Sequence, residues 1–172
     1  MAEEQELKKS QQKSEPASSN TKQHALVIVN AAGCISGRMC SHVSKLLLQG
    51  HRVTIVNAEK AVLSGHRHKT IELYKEHLEI NSATNPVHGP FHPRRPDRIL
   101  TKMVRGMVPK RKTSGIEAFK RLRVYISIPD QLKESKMKFF EDSKITKPAS
   151  YYITIGDVAK EIGWSGETRG SQ

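Results

Sequence analysis

Residues 24–57, HALVIVNAAGCISGRMCSHVSKLLLQGHRVTIVN, decide the fold. His24-Ala25-Leu26-Val27-Ile28-Val29-Asn30 is a continuous apolar run, the pattern of a strand covered on both faces. Ala31-Ala32-Gly33 turns the chain. A helix opening at Ser36 or Gly37 places Met39, Val43, Leu46 and Leu47 on one face, and Gly50 stops it. Arg52-Val53-Thr54-Ile55-Val56-Asn57 is a second buried strand. Strand, helix and strand in so short a span form a βαβ unit, which requires parallel pairing and a right-handed crossover. The class is therefore α/β.

Working outward, residues 58–65 read as a short turn with room for a brief third strand. Residues 66–80 have helical spacing, with Ile71, Tyr74 and Leu78 on one face and Glu72, Lys75 and Glu79 outward. Between 81 and 96, Pro86, Pro90, Pro93 and Pro96 each remove an amide donor and restrict the preceding residue, so the segment is extended and irregular. Helix signals return from Asp97 to Met107. They return again from Ser114, whose spacing from Glu117 matches a capping box, to about Arg121. Residues 122–127 are the last strand, and 129–150 a polar loop with some helix. Thr154 and Asp157 precede a closing helix bearing Ile155, Val158 and Ile162, with Gly163 as its stop.

These elements make one domain over residues 25–165, which suits a chain of 172 residues. Residues 1–24 hold four acids, four lysines and almost nothing apolar, so they read as a flexible extension. Residues 166–172 are a short tail. No stretch approaches the ~20 consecutive apolar residues that span a bilayer. The N-terminus lacks the apolar region of a secretory signal and is too acidic for a mitochondrial transit peptide. Cys34 and Cys40, near one helix start, are expected as reduced thiols packed as small apolar groups, which favours the cytosol or nucleus.

Charge is the second decisive feature. Of a net +12, residues 88–123 carry +9, with eleven Lys/Arg against only Asp97 and Glu117, while 1–24 and 124–172 are each neutral. Such a block attracts phosphates at the expense of self-repulsion, so the expected partner is a nucleic acid. On a helix advancing about 100° per residue, Lys102 and Arg105 fall within about 40° of Arg98, while Ile99, Leu100, Met103, Val104 and Met107 occupy the opposite side. One face is cationic and the other apolar. Arg94, Arg95, Arg98 and Arg105 suit bidentate phosphate contacts, and the prolines before them hold Arg94 and Arg95 extended. Lys110, Arg111 and Lys112 form a second cluster leading into a helix N-terminus. His88, Phe91 and His92 are placed to stack on bases. No helix-turn-helix, zinc finger or basic zipper appears, and cations lie in irregular segments as much as on a helix. This suits folded RNA better than a DNA major groove.

Enzyme readings find little support. Residues 33–38, GCISGR, sit where a phosphate-binding loop would, but match neither G-x-G-x-x-G nor G-x-x-x-x-G-K-[ST]. Arg38 at the helix start still suits a phosphate. His42, His66 and His68 with the two cysteines lack metal-ligand spacing, and His88 and His92 lie in a proline-broken segment. The expectation is no catalytic site, no metal and no cofactor. The alternatives are a nucleotide-binding α/β enzyme using the turn at 33–37, and a free RNA-binding regulator.

The motifs G-x-x-x-G-R at 33–38, VNAEKAVLSG at 56–65, TNPVHGPFHPRRPDRI at 84–99, MVRGMVPKRKTSGIEAFKRLRVY at 103–125 and VAKEIGW at 158–164 cover most of residues 25–165. Through them the chain resembles the large-subunit ribosomal protein L-thirteen family, in its eukaryotic and archaeal branch. The resemblance implies a three-layer α/β/α domain with a small, mainly parallel four-stranded sheet. It also implies a structural role in the cytoplasmic large ribosomal subunit, beside neighbouring ribosomal proteins and with no small-molecule substrate or membrane. By motif match, rRNA contacts would fall on Arg38, Arg94, Arg95, Arg98, Lys102, Arg105, Lys110, Arg111, Lys112, Lys120 and Arg121, joined by Arg67 and Lys69. The extension 1–24 precedes the point where family members usually start, and no long Lys-rich helix follows Trp164.

Overall fold

Strand β1 (Leu26–Asn30) lies parallel to β2 (Arg52–Val56), with Leu26 opposite Arg52 and Asn30 opposite Val56. Helix α1 (Ser36–Leu48) joins them, so the βαβ unit forms as its apolar runs require. The structure is a computed structural model that describes residues 25–166. The expected extension 1–24 and the tail beyond Gly166 lie outside the described residues. Beyond β2 come β3 (Val62–Ser64), α2 (Arg67–Glu79), α3 (Pro96–Met107), α4 (Thr113–Lys120) and β4 (Leu122–Val124). β5 (Met137–Lys138), β6 (Tyr152–Thr154) and α5 (Ile155–Glu161) complete the chain.

Four strands form a parallel sheet in the order β4-β2-β1-β5, and β3 pairs antiparallel with β6 in a separate ribbon. The α/β class with a small parallel sheet is as the sequence implied. Alternation puts Val29, Val53, Ile55 and Leu122 on one face, in a single core with Met39, Val43 and Leu47 of α1, Leu100 and Val104 of α3, Ala118 of α4 and Ile155 and Ala159 of α5. Ile28, Thr54 and Val56 on the other face are buried too, which explains the unbroken apolar runs.

Several local expectations shift. Ser36 does not cap α1 through its side chain; its hydroxyl donates to the Val62 carbonyl at 2.7 Å and ties the helix start to β3. Pro96 does not end the irregular segment but begins α3, because at a first helical position its missing N–H costs nothing. The Ser114/Glu117 capping box does not form. Helix α4 starts one residue earlier, at Thr113, so Lys112 takes the cap position. Met107, placed on the apolar face of α3, is half exposed at the helix end. The strand expected over 122–127 is shorter, Leu122–Val124, although the Tyr125 N–H still reaches the Ile55 carbonyl at 2.8 Å, and it is not the last, because β5 and β6 follow through pairing with distant strands. By contrast, the Thr154 hydroxyl accepts the Asp157 N–H at 3.0 Å, the expected cap of α5, and Gly163 ends that helix with φ +99°.

The 129–150 loop closes the free side of β1. Met137 and Lys138 pair with Ile28 and Val29, the Ile35 N–H donates to the Ser143 carbonyl at 2.7 Å, and Cys34 bridges Lys144. Buried Ser143 thereby sits against the turn that opens α1.

Candidate nucleic-acid interface

Helix α3 is the rigid part of the basic segment. Ile99, Leu100 and Val104 are 3%, 0% and 0% exposed and dock the helix on the core. Each such side chain contributes about 1.5–3 kcal/mol of burial. Asp97 in the first turn and Arg105 in the last complement the helix dipole. On the opposite side Arg98, Lys102 and Arg105 are all exposed. Among the described residues none of the three forms an ion pair, so no carboxylate of the chain offsets the row.

Two arginines precede the helix. Arg95 Nε donates to Asp97 Oδ1 at 3.2 Å, which orients an otherwise exposed side chain. The Arg94 guanidinium lies over Gly163, with Nη1 3.1 Å from where a Cβ there would sit. After the helix, Lys110, Arg111 and Lys112 are exposed on a tight turn closed by the Lys112 N–H on the Pro109 carbonyl at 3.0 Å. Gly115 is required here, because a Cβ would run into the Pro109 carbonyl oxygen. That contact folds the turn onto α4 and brings Arg105, Lys110 and Lys120 around one depression.

Other expected site residues have partners within the chain. Arg67 pairs with Asp157 at 3.8 Å and Glu161 at 3.5 Å, joining α2 to α5. His92 Nε2 lies 3.0 Å from the Ile80 carbonyl, and the ring is half buried rather than open for stacking. Arg121 Nη2 donates to the Leu47 carbonyl at 2.8 Å and fastens α4 to the end of α1. Arg38 Nη1 donates to the Asp142 carbonyl at 3.1 Å while remaining exposed. Lys69 and His88 are exposed, and Phe91 is 83% exposed. Sequence reasoning passed over Lys147 and Tyr151, which share a second depression with Arg38. Lys147 Nζ lies 5.7 Å from the Tyr151 ring centroid. Their adjacency in KPASY at 147–151 was the available signal.

The turn after β1 is poorly suited to a nucleotide. The Ala32 N–H donates to Asn30 Oδ1, Gly33 to the Lys60 carbonyl, Cys34 to the Ala31 carbonyl and Ile35 to Ser143. The amides of residues 32–35 are therefore committed to the protein rather than to a ligand. Asn30 Oδ1 also accepts from Asn57 Nδ2 at 2.9 Å, fixing Asn57 at φ +58°. Cys34 and Cys40 are buried free thiols, and burial pushes Cys40 up to about 12. Among the described residues no three His, Cys, Asp or Glu side chains gather as metal ligands would.

The family model described as "Ribosomal protein L13" matches residues 24–131. The protein named "Large ribosomal subunit protein uL13" from Aeropyrum pernix is 43% identical over 141 residues, covering 81% of this chain and 91% of its own. Its namesake from Methanococcoides burtonii is 42% identical over 139 residues, covering 80% and 98%. That from Saccharolobus solfataricus is 40% identical over 145 residues, covering 84% and 97%. With its parallel sheet, exposed cationic helix and matches along most of its length, the chain belongs to the ribosomal protein L13 (L-thirteen) family.

Proposed function

We propose that this chain is a non-catalytic constituent of the large ribosomal subunit that binds and stabilises folded rRNA. The observation that carries the proposal is the row Arg98, Lys102 and Arg105, held out by a helix whose opposite face buries Ile99, Leu100 and Val104, and left without carboxylate partners. A pre-ordered row loses little entropy on meeting a phosphate chain. Arg94, Arg95, Lys110, Arg111, Lys112 and Lys120 extend it, with Lys69, His88 and Arg38 as outlying contacts. In this reading Arg67, His92 and Arg121 act mainly by holding the scaffold, and the protein resides in cytoplasmic ribosomes beside other large-subunit proteins.

The test follows an epitope-tagged chain through sucrose gradients. The wild-type chain is expected to sediment with large subunits and to leave them only at high salt. The combined variant Arg98→Glu, Lys102→Glu, Arg105→Glu is expected in the free fractions, folded. Undiminished incorporation of that variant would refute the assignment.

A further inference from the structure

The depression between the end of α3 and helix α4 has the composition of a nucleobase site. Its volume is about 320 Å³, and Val108, Ile116, Phe119 and Gly115 form its lining, with Arg105, Lys110 and Lys120 around it. Ile116 is 46% exposed, an unusual position for an isoleucine on a helix flanked by charge. Val108 is buried and Phe119 partly so, which fixes the floor. The close approach of Gly115 to the Pro109 carbonyl holds the turn against α4 and so fixes one side of the space.

We infer that this depression receives a single unstacked nucleobase of the bound RNA, whose flanking phosphates lie on Arg105, Lys110 and Lys120. The inference rests on the RNA-binding reading above and specifies what one part of that surface does. Charge complementarity selects the occupant. Three cations from separate segments surround one apolar cavity, and no acid lines it. A docked protein segment would satisfy the apolar lining but leave the cations unmatched, whereas a nucleotide has a flat apolar face and an anionic backbone within one residue of each other. Single-stranded loops and bulges offer such bases, and stacking on protein side chains is how they are commonly held.

The test uses the full chain and deproteinised large-subunit rRNA. After ultraviolet irradiation and digestion, the tryptic peptide of residues 113–120, TSGIEAFK, is searched for a nucleotide adduct. Filter binding is measured in parallel for Ile116→Ala and Lys120→Ala. A base in the depression gives an adduct at Phe119. Removing the Ile116 wall lowers affinity by roughly five- to tenfold while leaving the salt dependence unchanged. Lys120→Ala instead reduces the slope of log K against log salt by about 0.7. Wild-type binding with no adduct on that peptide, and with Ile116→Ala at wild-type affinity, would overturn the inference and leave the RNA-binding reading intact. Protein–protein crosslinks at Lys110 or Lys120 within assembled subunits, with no RNA adduct, would overturn it in favour of a protein occupant. Absence of any rRNA binding by the wild-type chain would remove both readings together.

Discussion

Replacing Arg98, Lys102 and Arg105 together by alanine should move binding and stability in opposite directions. Each side chain is exposed and lacks an ion-pair partner, while Ile99, Leu100 and Val104 continue to anchor the helix. On irregular RNA each neutralised phosphate contributes about 0.7 to the slope of log K against log salt, so losing three reduces the slope by about 2. Between 50 and 200 mM salt the wild-type protein would then lose about 20-fold more affinity than the variant. Stability should rise. Arg98 and Lys102 are four residues apart, Lys102 and Arg105 three, and each like-charged pair costs about 0.2–0.5 kcal/mol on a helix. Alanine also has the higher helix propensity. The free variant should gain roughly 0.5–1 kcal/mol in urea unfolding, while filter binding to rRNA records the reduced slope. An unchanged slope would show that the row does not meet phosphates. A loss of more than about 1 kcal/mol, beyond what exposed positions ordinarily cost, would show that these side chains serve the fold instead.

Two further outcomes test the scaffold. Asn57→Ala should destabilise by about 2–3 kcal/mol, combining left-handed backbone strain with loss of the bond to Asn30, whereas Asn57→Gly should cost only about 1 kcal/mol; equal effects in urea unfolding would show that φ +58° carries no strain. Cys40 keeps its proton in the folded protein up to about 12. The unfolded thiol ionises from about 8.5, so this stability is present below that pH and is lost as pH rises towards 12. Between pH 8 and 10 the wild type should lose roughly 2 kcal/mol more than Cys40→Ala, and parallel pH profiles for the two would contradict the burial.

Apolar continuity made much of the fold readable. The runs at 25–30 and 53–56 need cover on both faces, and the intervening helix spacing leaves one way to connect them. The cap at Thr154 was equally visible because its bond is local. Strand β5 was not, since Met137 and Lys138 are extended only through pairing with β1, more than a hundred residues earlier. The cationic face of α3 followed from spacing alone, but the fates of Arg67, Arg121 and His92 did not. Their partners, Asp157, Glu161, Leu47 and Ile80, come from other segments brought near by packing. For the same reason the sequence does not show that Ile116 and Phe119 share a depression with Lys110, which the Pro109–Gly115 approach brings beside them.

The late closure of β1 has a consequence for biosynthesis. One edge of β1 is covered by Met137 and Lys138, and β3 finds its partner only at Tyr152–Thr154. A nascent chain must therefore emerge past residue 138 before that edge of β1 is sealed. Until then Leu26 to Asn30 presents unpaired amides and carbonyls to whatever passes, an interval in which mispairing with another unfinished chain competes with completion. Truncation anywhere before residue 154 leaves at least one of these edges open.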